Sequence, residues 1–297
     1  MEYLLHLLIM ICIYSILAQS LSLVAGYSGQ ISLAHAGFYG IGAYTTALLS
    51  VNFGIPPLLN LLLAMLLAGI LAFTVAKVAV KTIDDYYVII TLGIQVMIFS
   101  IMNNWQSVTN GPLGIAGIPP FSVFGMPLES KWSVLLLSML LAAAVWFVLR
   151  NIMASPFGRI LRALSEDEVY TYSMGKNVGQ AKVISFVLSG MLASIAGVLY
   201  AHYITYIDPT SFTLDESIFI LSIVIIGGMR DLRGIFFAAA FLVLLPEALR
   251  FVGLPSSVAA NIRQIVYGVA LVLVIFKKRQ KENISPLKIH KSSFENG

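Results

Sequence analysis

The sequence predicts an all-α, polytopic transmembrane helical bundle of roughly eight to ten spans. Three observations predict it. Hydrophobic residues fill 59% of the 297 positions, charged residues only 11%, and mean hydropathy is +0.90; soluble domains carry about a quarter charged residues. Apolar runs long enough to cross a hydrocarbon core of about 30 Å at about 1.5 Å per helical residue recur along the chain. The basic residues gather at the ends of those runs, so the net charge of +4 does not point to nucleic acid.

Taken in order, the expected spans are 4–25, 29–51, 57–80, 85–103, 132–150, 182–203, 215–229, 234–252 and 259–277. The first run lacks a basic leading region and a clear small-residue cleavage site, and reads as a retained helix, not a signal peptide. The break between the first two, Tyr27 to Gln30, is the weakest. Asp84 and Asp85 open the fourth; at a helix N-terminus the macrodipole favours them, and no partner motif makes them a divalent-ion site. Gly227 and Gly228 either end the seventh span or interrupt it. The eighth holds Glu247 beside Pro246, the best intramembrane carboxylate.

Charge orients the scheme. No Lys or Arg precedes Lys77, and the segment 151–182 concentrates Arg159, Arg162, Lys176 and Lys182, which places it in the cytoplasm. Counting outward puts Lys81, Arg230, Arg233 and the C-terminus on that side, and the N-terminus and the loops 104–131 and 206–215 outside. Arg250 and Arg263 run against this bias. Residues 1–279 form the membrane domain, and 280–297 a cytoplasmic tail of disordered composition. The lone Cys12 excludes a disulfide framework and a Cys-based metal site.

The stretch "GYSGQISLAHAGFYGIGAY", Gly26 to Tyr44, places five glycines, Gln30 and His35 between two apolar runs. Read as a helix, it stacks Ser28, Ser32, Ala36 and Gly40 one turn apart, with Gly29 and Gly37 on the flank. Small residues at that spacing let helices approach closely in lipid. Read as a transport path, it exposes backbone at its glycines and presents Gln30, Ser32 and His35, polar groups that must face protein or water. The two readings are compatible. His35 has no second His or carboxylate in its span, which favours an interhelical hydrogen bond over a metal or proton site.

The segment "SPFGRILRALSEDEVYTYSMGKNVGQAK", Ser155 to Lys182, predicts a short amphipathic helix after Pro156, with Ile160, Leu161, Leu164 and Val169 as its apolar stripe and Gly175 as its terminator. Arg159, Glu166, Asp167 and Glu168 line the opposite side. Such a helix either docks a soluble partner or lies on the membrane surface. No G-x-x-x-x-G-K-[ST], H-E-x-x-H or G-x-S-x-G motif occurs, so ATP or peptide hydrolysis has to come from another chain.

With those residues in view, the chain resembles the permease subunits of ABC importers of the branched-chain amino acid class, from about Leu17 to Phe276. The carriers of the resemblance, in order, are "AQSLSLVAGYSGQISLAHAGFYGIGAYTTALL", "DDYYVIITLGIQVMIFSIMNNWQSVTNGPLGIAGIP", "LRALSEDEVYTYSMGKNVGQAKVISFVLSGMLASIAGVLYA", "DPTSFTLDESIFILSIVIIGGM" and "LLPEALR". The "NGPLGI" block makes it more similar to one of that family's two sister permeases. The resemblance implies two permease subunits, here a heterodimer, two cytoplasmic ATPases that bind ATP and magnesium, and an extracytoplasmic binding protein, all at the bacterial or archaeal inner membrane. It implies no cofactor in this chain. It makes Arg159, Glu166, Asp167, Glu168 and Gly175 the ATPase-coupling helix, and Gln30, Ser32, His35, Ala36 and Gly40 part of the path or its packing. The expected cargo is leucine, isoleucine or valine; urea and short-amide importers share these blocks. Three departures stand out: "MRDLRGIFF", with Arg230, Asp231 and Arg233 where a neutral Gly-rich turn is usual, the tail "FKKRQKENISP", and the lack of a long N-terminal extension. An ion-gradient-driven transporter would place ionisable residues inside its spans, and Glu247 is thin support for one. A membrane enzyme has no convergent nucleophile and base.

Overall fold

A computed structural model describes residues 2–80, 82, 84–123, 126–128, 130–251 and 268. The chain divides into two compact units, residues 1–243 and 244–297. Of the second unit, residues 244–251 and 268 are described. Apart from residue 268, the expected span 259–277 lies outside the described residues, as do the tail 280–297 and Lys81.

Helix α1 (Glu2–Ser22) runs into a π-helical turn, Leu23–Tyr27. After an irregular segment follow α2 (His35–Phe53), α3 (Pro57–Ala79) and α4 (Asp84–Asn104). A loop with the short helix α5 (Gln106–Thr109) and strands β1 (Ile115–Ala116), β2 (Ser122–Val123) and β3 (Met126–Pro127) leads to α6 (Lys131–Ala154). Then come α7 (Pro156–Glu166), α8 (Glu168–Ser173), α9 (Val178–Ile204), strand β4 (Tyr206–Ile207), α10 (Leu214–Gly227) and α11 (Leu232–Phe251). Among the described residues five helices are long and apolar enough to cross a membrane: Glu2–Tyr27, Pro57–Ala79, Tyr86–Asn104, Lys131–Ala154 and Val178–Ile204. Expected span 29–51 shrinks to the 19 residues of α2, because the chain is irregular up to Ala34. Expected span 215–229 becomes the 14-residue α10, ended by Gly228 at φ 88.

The polarity of the bundle is the reverse of a soluble protein's. On α3, Leu58, Leu62, Leu66, Ile70 and Phe73 are exposed, while Ala64, Ala68, Ala72 and Ala76 are completely buried. Those alanines recur every fourth residue and make the packing face toward α9, where Gly190 meets Ala72. Helix α2 crosses α9 closer still. A Cβ on Gly42 would collide with the Ser194 backbone, and one on Gly197 with the carbonyl of Tyr39. Without a hydrophobic drive between helices in lipid, such backbone approach supplies much of the adhesion. Tyr39, Tyr44, Tyr200 and Phe212 close the crossing at one end, with Tyr39 and Phe212 centroids 4.9 Å apart.

The two ends of the bundle differ chemically. At one end Glu2 pairs with Lys131 at 2.8 Å. There the chain before α6 and the chain after α9 are stitched together: β1 pairs antiparallel with β4, Ile118 N–H donates to the Thr205 carbonyl at 3.2 Å, and Tyr206 OH to that of Leu113 at 3.1 Å. The opposite end carries Lys77, Arg150, α7, α8, Lys176, Lys182, Arg230 and Arg233.

The α2–α9 crossing makes a stability prediction. Gly197→Val forces backbone apart and is expected to cost about 3 kcal/mol, at the upper end for overpacking, read as a lowered thermal midpoint of the detergent-purified protein. Gly93→Ala, where a Cβ meets nothing within 4 Å, is expected to leave that midpoint unchanged.

Candidate translocation and coupling site

The sequence stretch rich in glycine is a helix break. Tyr27 ends the π-helical turn, Gly29 takes φ 75, and the chain stays irregular to Ala34 before α2 begins at His35. Ser28, Ser32, Ala36 and Gly40 therefore do not form one helical ridge, and only Ala36 and Gly40 lie on α2. The physical reason is local competition for hydrogen bonds. Ser28 Oγ donates to Gln30 Oε1 at 3.1 Å, Ser32 Oγ accepts from Ala34 N–H at 3.3 Å, and Gly29 adopts the left-handed backbone without a Cβ penalty. Ser28, Gln30, Ser32 and His35 are all buried.

Unwinding frees backbone donors that must find acceptors away from water. Ala34, the N-cap residue of α2, has no side chain to cap with. Other elements supply the acceptors. Thr91 Oγ1 on α4 accepts from Leu33 N–H at 3.1 Å, Ser217 Oγ on α10 from Ala36 N–H at 3.0 Å, and Gln95 Oε1 on α4 from Gly37 N–H at 2.6 Å. Gln95 Nε2 in turn donates to the Phe212 carbonyl at 2.8 Å. Gln95 is completely buried and bridges two backbones with its two amide ends. Gly37 and Gly40 of α2 abut α4, at Ile98 and Met102 respectively.

His35 joins three helices at the same depth. Its Nε2 lies 3.0 Å from Ser20 Oγ on α1 and 3.3 Å from Ser189 Oγ on α9. Ser189 Oγ also donates to the Ser20 carbonyl. The ring packs edge-on against Phe38 with centroids 6.3 Å apart. Among the described residues no carboxylate or second histidine joins this cluster. The signal for Thr91, Gln95, Ser189 and Ser217 in the sequence was a scatter of polar residues in apolar helices, which by itself does not say whose backbone each serves.

At the basic end, the expected single helix from Arg159 to Gly175 is two. Asp167 breaks it in extended conformation, φ −154 and ψ 109, and its Oδ1 accepts from Tyr170 N–H at 2.8 Å to start α8. An aspartate serves better as an N-cap than inside a helix, which decides the break. Leu161 and Leu164 are buried as expected, but the break turns Val169 outward, where it is 75% exposed. Val169 thus joins Tyr170, Tyr172 and Met174 in an exposed apolar patch that the sequence reading missed. Arg159, Glu166, Asp167 and Glu168 are exposed. Glu168 reaches back to Lys182 on α9 at 2.6 Å and ties α8 to the bundle. Gly175 closes the segment at φ 72 with open space around it.

The break and the basic end touch. Gly29 faces Ser165 on α7, and Tyr27 OH donates to the Arg230 carbonyl at 2.6 Å. Arg230 Nε donates to the Gly26 carbonyl at 3.0 Å, and its Nη2 to Ser165 Oγ.

A helical bundle with outward-facing leucines, a helix break with buried polar side chains and an exposed connector at its basic end is the architecture of a polytopic membrane protein. The family model described as the permease component of the branched-chain amino acid transport system matches residues 3–275, and the chain belongs to that family. It is 33% identical over 261 residues to the high-affinity branched-chain amino acid transport system permease protein LivM of Escherichia coli K12, covering 80% of this chain and 61% of that protein. To the probable branched-chain amino acid transport permease protein LivM of Methanocaldococcus jannaschii it is 24% identical over 308 residues, covering 90% of this chain and 89% of the relative. It is 30% identical over 183 residues to the ribose import permease protein RbsC of Haemophilus influenzae, covering 59% of this chain and 52% of the relative. No solved structure matches.

Gln95 carries the sharpest prediction of this site. Gln95→Leu strands the Phe212 carbonyl, at about 1–3 kcal/mol for a buried unpaired group, and leaves Gly37 N–H only its bond to the Ala34 carbonyl at 3.1 Å. Gln95→Glu keeps an acceptor for Gly37 and, when ionised, loses the donor to Phe212. The thermal midpoint of purified protein is expected to fall most for Gln95→Leu.

Proposed function

We propose that this chain is the permease subunit of a binding-protein-dependent ABC importer that moves leucine, isoleucine and valine inward with ATP hydrolysed by partner subunits. The carrying observation is the irregular stretch from Ser28 to Ala34, in which Ser28, Gln30 and Ser32 are buried, with its end and the first turn of α2 held by side chains of α4 and α10. Irregular backbone at membrane depth is tolerated only inside protein or beside a water-filled cavity, and a permease needs such a place. Gln30, Ser32, His35, Ala36 and Gly40 border the path in this reading. His35 serves it by holding α1, α2 and α9 together. Family membership supports the cargo class, and the relatives named LivM support leucine, isoleucine and valine above urea, short amides or ribose.

The stitched loops around β1 and β4 would receive the loaded binding protein. At the basic end, cytoplasmic by the positive-inside rule, the segment from Arg159 to Gly175 would dock an ATPase. Its acidic residues Glu166 and Asp167 and the exposed Val169, Tyr170, Tyr172 and Met174 fit a protein groove, since exposed apolar patches at polar rims mark interfaces. Glu168 holds that surface to α9 through Lys182. A second permease, two ATPases carrying ATP and magnesium, and the binding protein complete the importer in the inner membrane, with the C-terminus of this chain cytoplasmic.

The test is uptake into proteoliposomes holding this chain with its second permease, ATPases and binding protein. Radiolabelled leucine is expected to accumulate with ATP and to stop accumulating when the phosphate-loop lysine of the ATPase is replaced. Uptake of urea or ribose in place of leucine overturns the cargo, and leucine uptake driven by a proton or sodium gradient without ATP overturns the mechanism.

Gly175 gives a second expectation. A β-branched side chain is strained at φ 72 although nothing crowds it. Gly175→Ile is expected to abolish most leucine uptake while the protein still inserts, and Gly175→Asn, which tolerates the left-handed backbone, to retain it.

A further inference from the structure

We infer that Arg230 is the positioning residue that couples the cytoplasmic docking segment to the helix break, an inference that rests on the import reading. Two pieces of chain, far apart in sequence from each other and from Arg230, meet at its guanidinium. Nε donates to the Gly26 carbonyl at 3.0 Å, Nη2 to Ser165 Oγ near the end of α7, and Nη1 lies 3.5 Å from Glu166 Oε1. Its own carbonyl accepts from Tyr27 OH at 2.6 Å. The backbones are pressed together at the same spot: a Cβ on Gly26 would collide with the Met229 carbonyl, and one on Gly29 would sit 3.3 Å from Ser165 Cα. Gly26 lies within the π-helical turn and Gly29 just beyond it, where the chain leads into the segment whose backbone donors α4 and α10 satisfy.

The guanidinium suits this task because its donors are fixed in one plane and reach several acceptors at once. A shift of α7 therefore drags residues 229–230 and the start of the break with it. The contribution is unequal among the three contacts. The Glu166 pair is long, with the Arg230 side chain 44% and Glu166 72% exposed, and exposed pairs of this kind contribute little. The clasp rests on the Gly26 carbonyl and Ser165 hydroxyl.

The readout is leucine imported per ATP hydrolysed by the complete proteoliposome complex, which a purely structural defect lowers in both terms together. Arg230→Lys keeps the charge and reaches one acceptor at a time; Arg230→Gln keeps most of the length and loses the charge. Both are expected to lower the ratio about tenfold while hydrolysis continues, with Gly93→Ala, where an added Cβ meets nothing within 4 Å, staying within about twofold of the unaltered complex. An unchanged ratio in Arg230→Lys and Arg230→Gln overturns the clasp and leaves the import reading standing. A parallel fall in uptake and hydrolysis also overturns it, assigning Arg230 to assembly. Absence of ATP-driven uptake by the unaltered complex overturns the import reading, and the clasp with it.

Discussion

A backbone N–H without an acceptor costs several kcal/mol in hydrocarbon, and the start of α2 holds that problem in concentrated form. The chain leaves the helix at Ser28 and resumes it at His35, so the donors of Leu33 and Ala36 lack a helical carbonyl, and that of Gly37 has only the Ala34 carbonyl at 3.1 Å. Thr91, Ser217 and Gln95 answer them from α4 and α10. Thr91 also donates to the Val88 carbonyl of its own helix, and Gln95 to that of Phe212. The positions of α4 and α10 beside α2 are tied to the break, and through Gln95 so is the Pro209–Phe212 turn.

The remaining adhesion follows from what lipid does not provide. Leucines on α3 are as comfortable against acyl chains as against protein, so they face out, and the alanines at every fourth position face in. Glycines 42 and 197 take this to its limit, backbone on backbone. Buried serines such as Ser20, Ser189 and Ser217 then find partners across helices instead of water. His35 sits where α1, α2 and α9 converge, which makes its lone position in the sequence intelligible as that of a junction.

At the basic end, charge and apolar surface share one short connector. Asp167 caps α8 and so turns Val169 and Tyr170 outward; Glu168 anchors α8 on Lys182; Gly175 releases the chain into α9. Each residue has a local duty that can be named, and together they present a half-apolar tip at the foot of the bundle.

Composition, the lengths of the apolar runs and the clustering of basic residues determined by themselves that this chain is a polytopic helical membrane protein, because bilayer thickness and the cost of buried charge leave no alternative. The five blocks carried the family as well, and Gly175 as a terminator was legible because its backbone conformation is local. The helix break was ambiguous in the sequence: Ser28, Ser32, Ala36 and Gly40 have the spacing of a ridge, and only the distant acceptors on α4 and α10 make unwinding affordable. The split at Asp167 was likewise hidden, since capping competes with amphipathic periodicity over the same few residues. Which side chains satisfy whose backbone, and that Arg230 reaches Gly26 and Ser165 at once, were decided by tertiary structure alone, because a hydrogen bond between residues some 200 positions apart leaves no trace in local pattern.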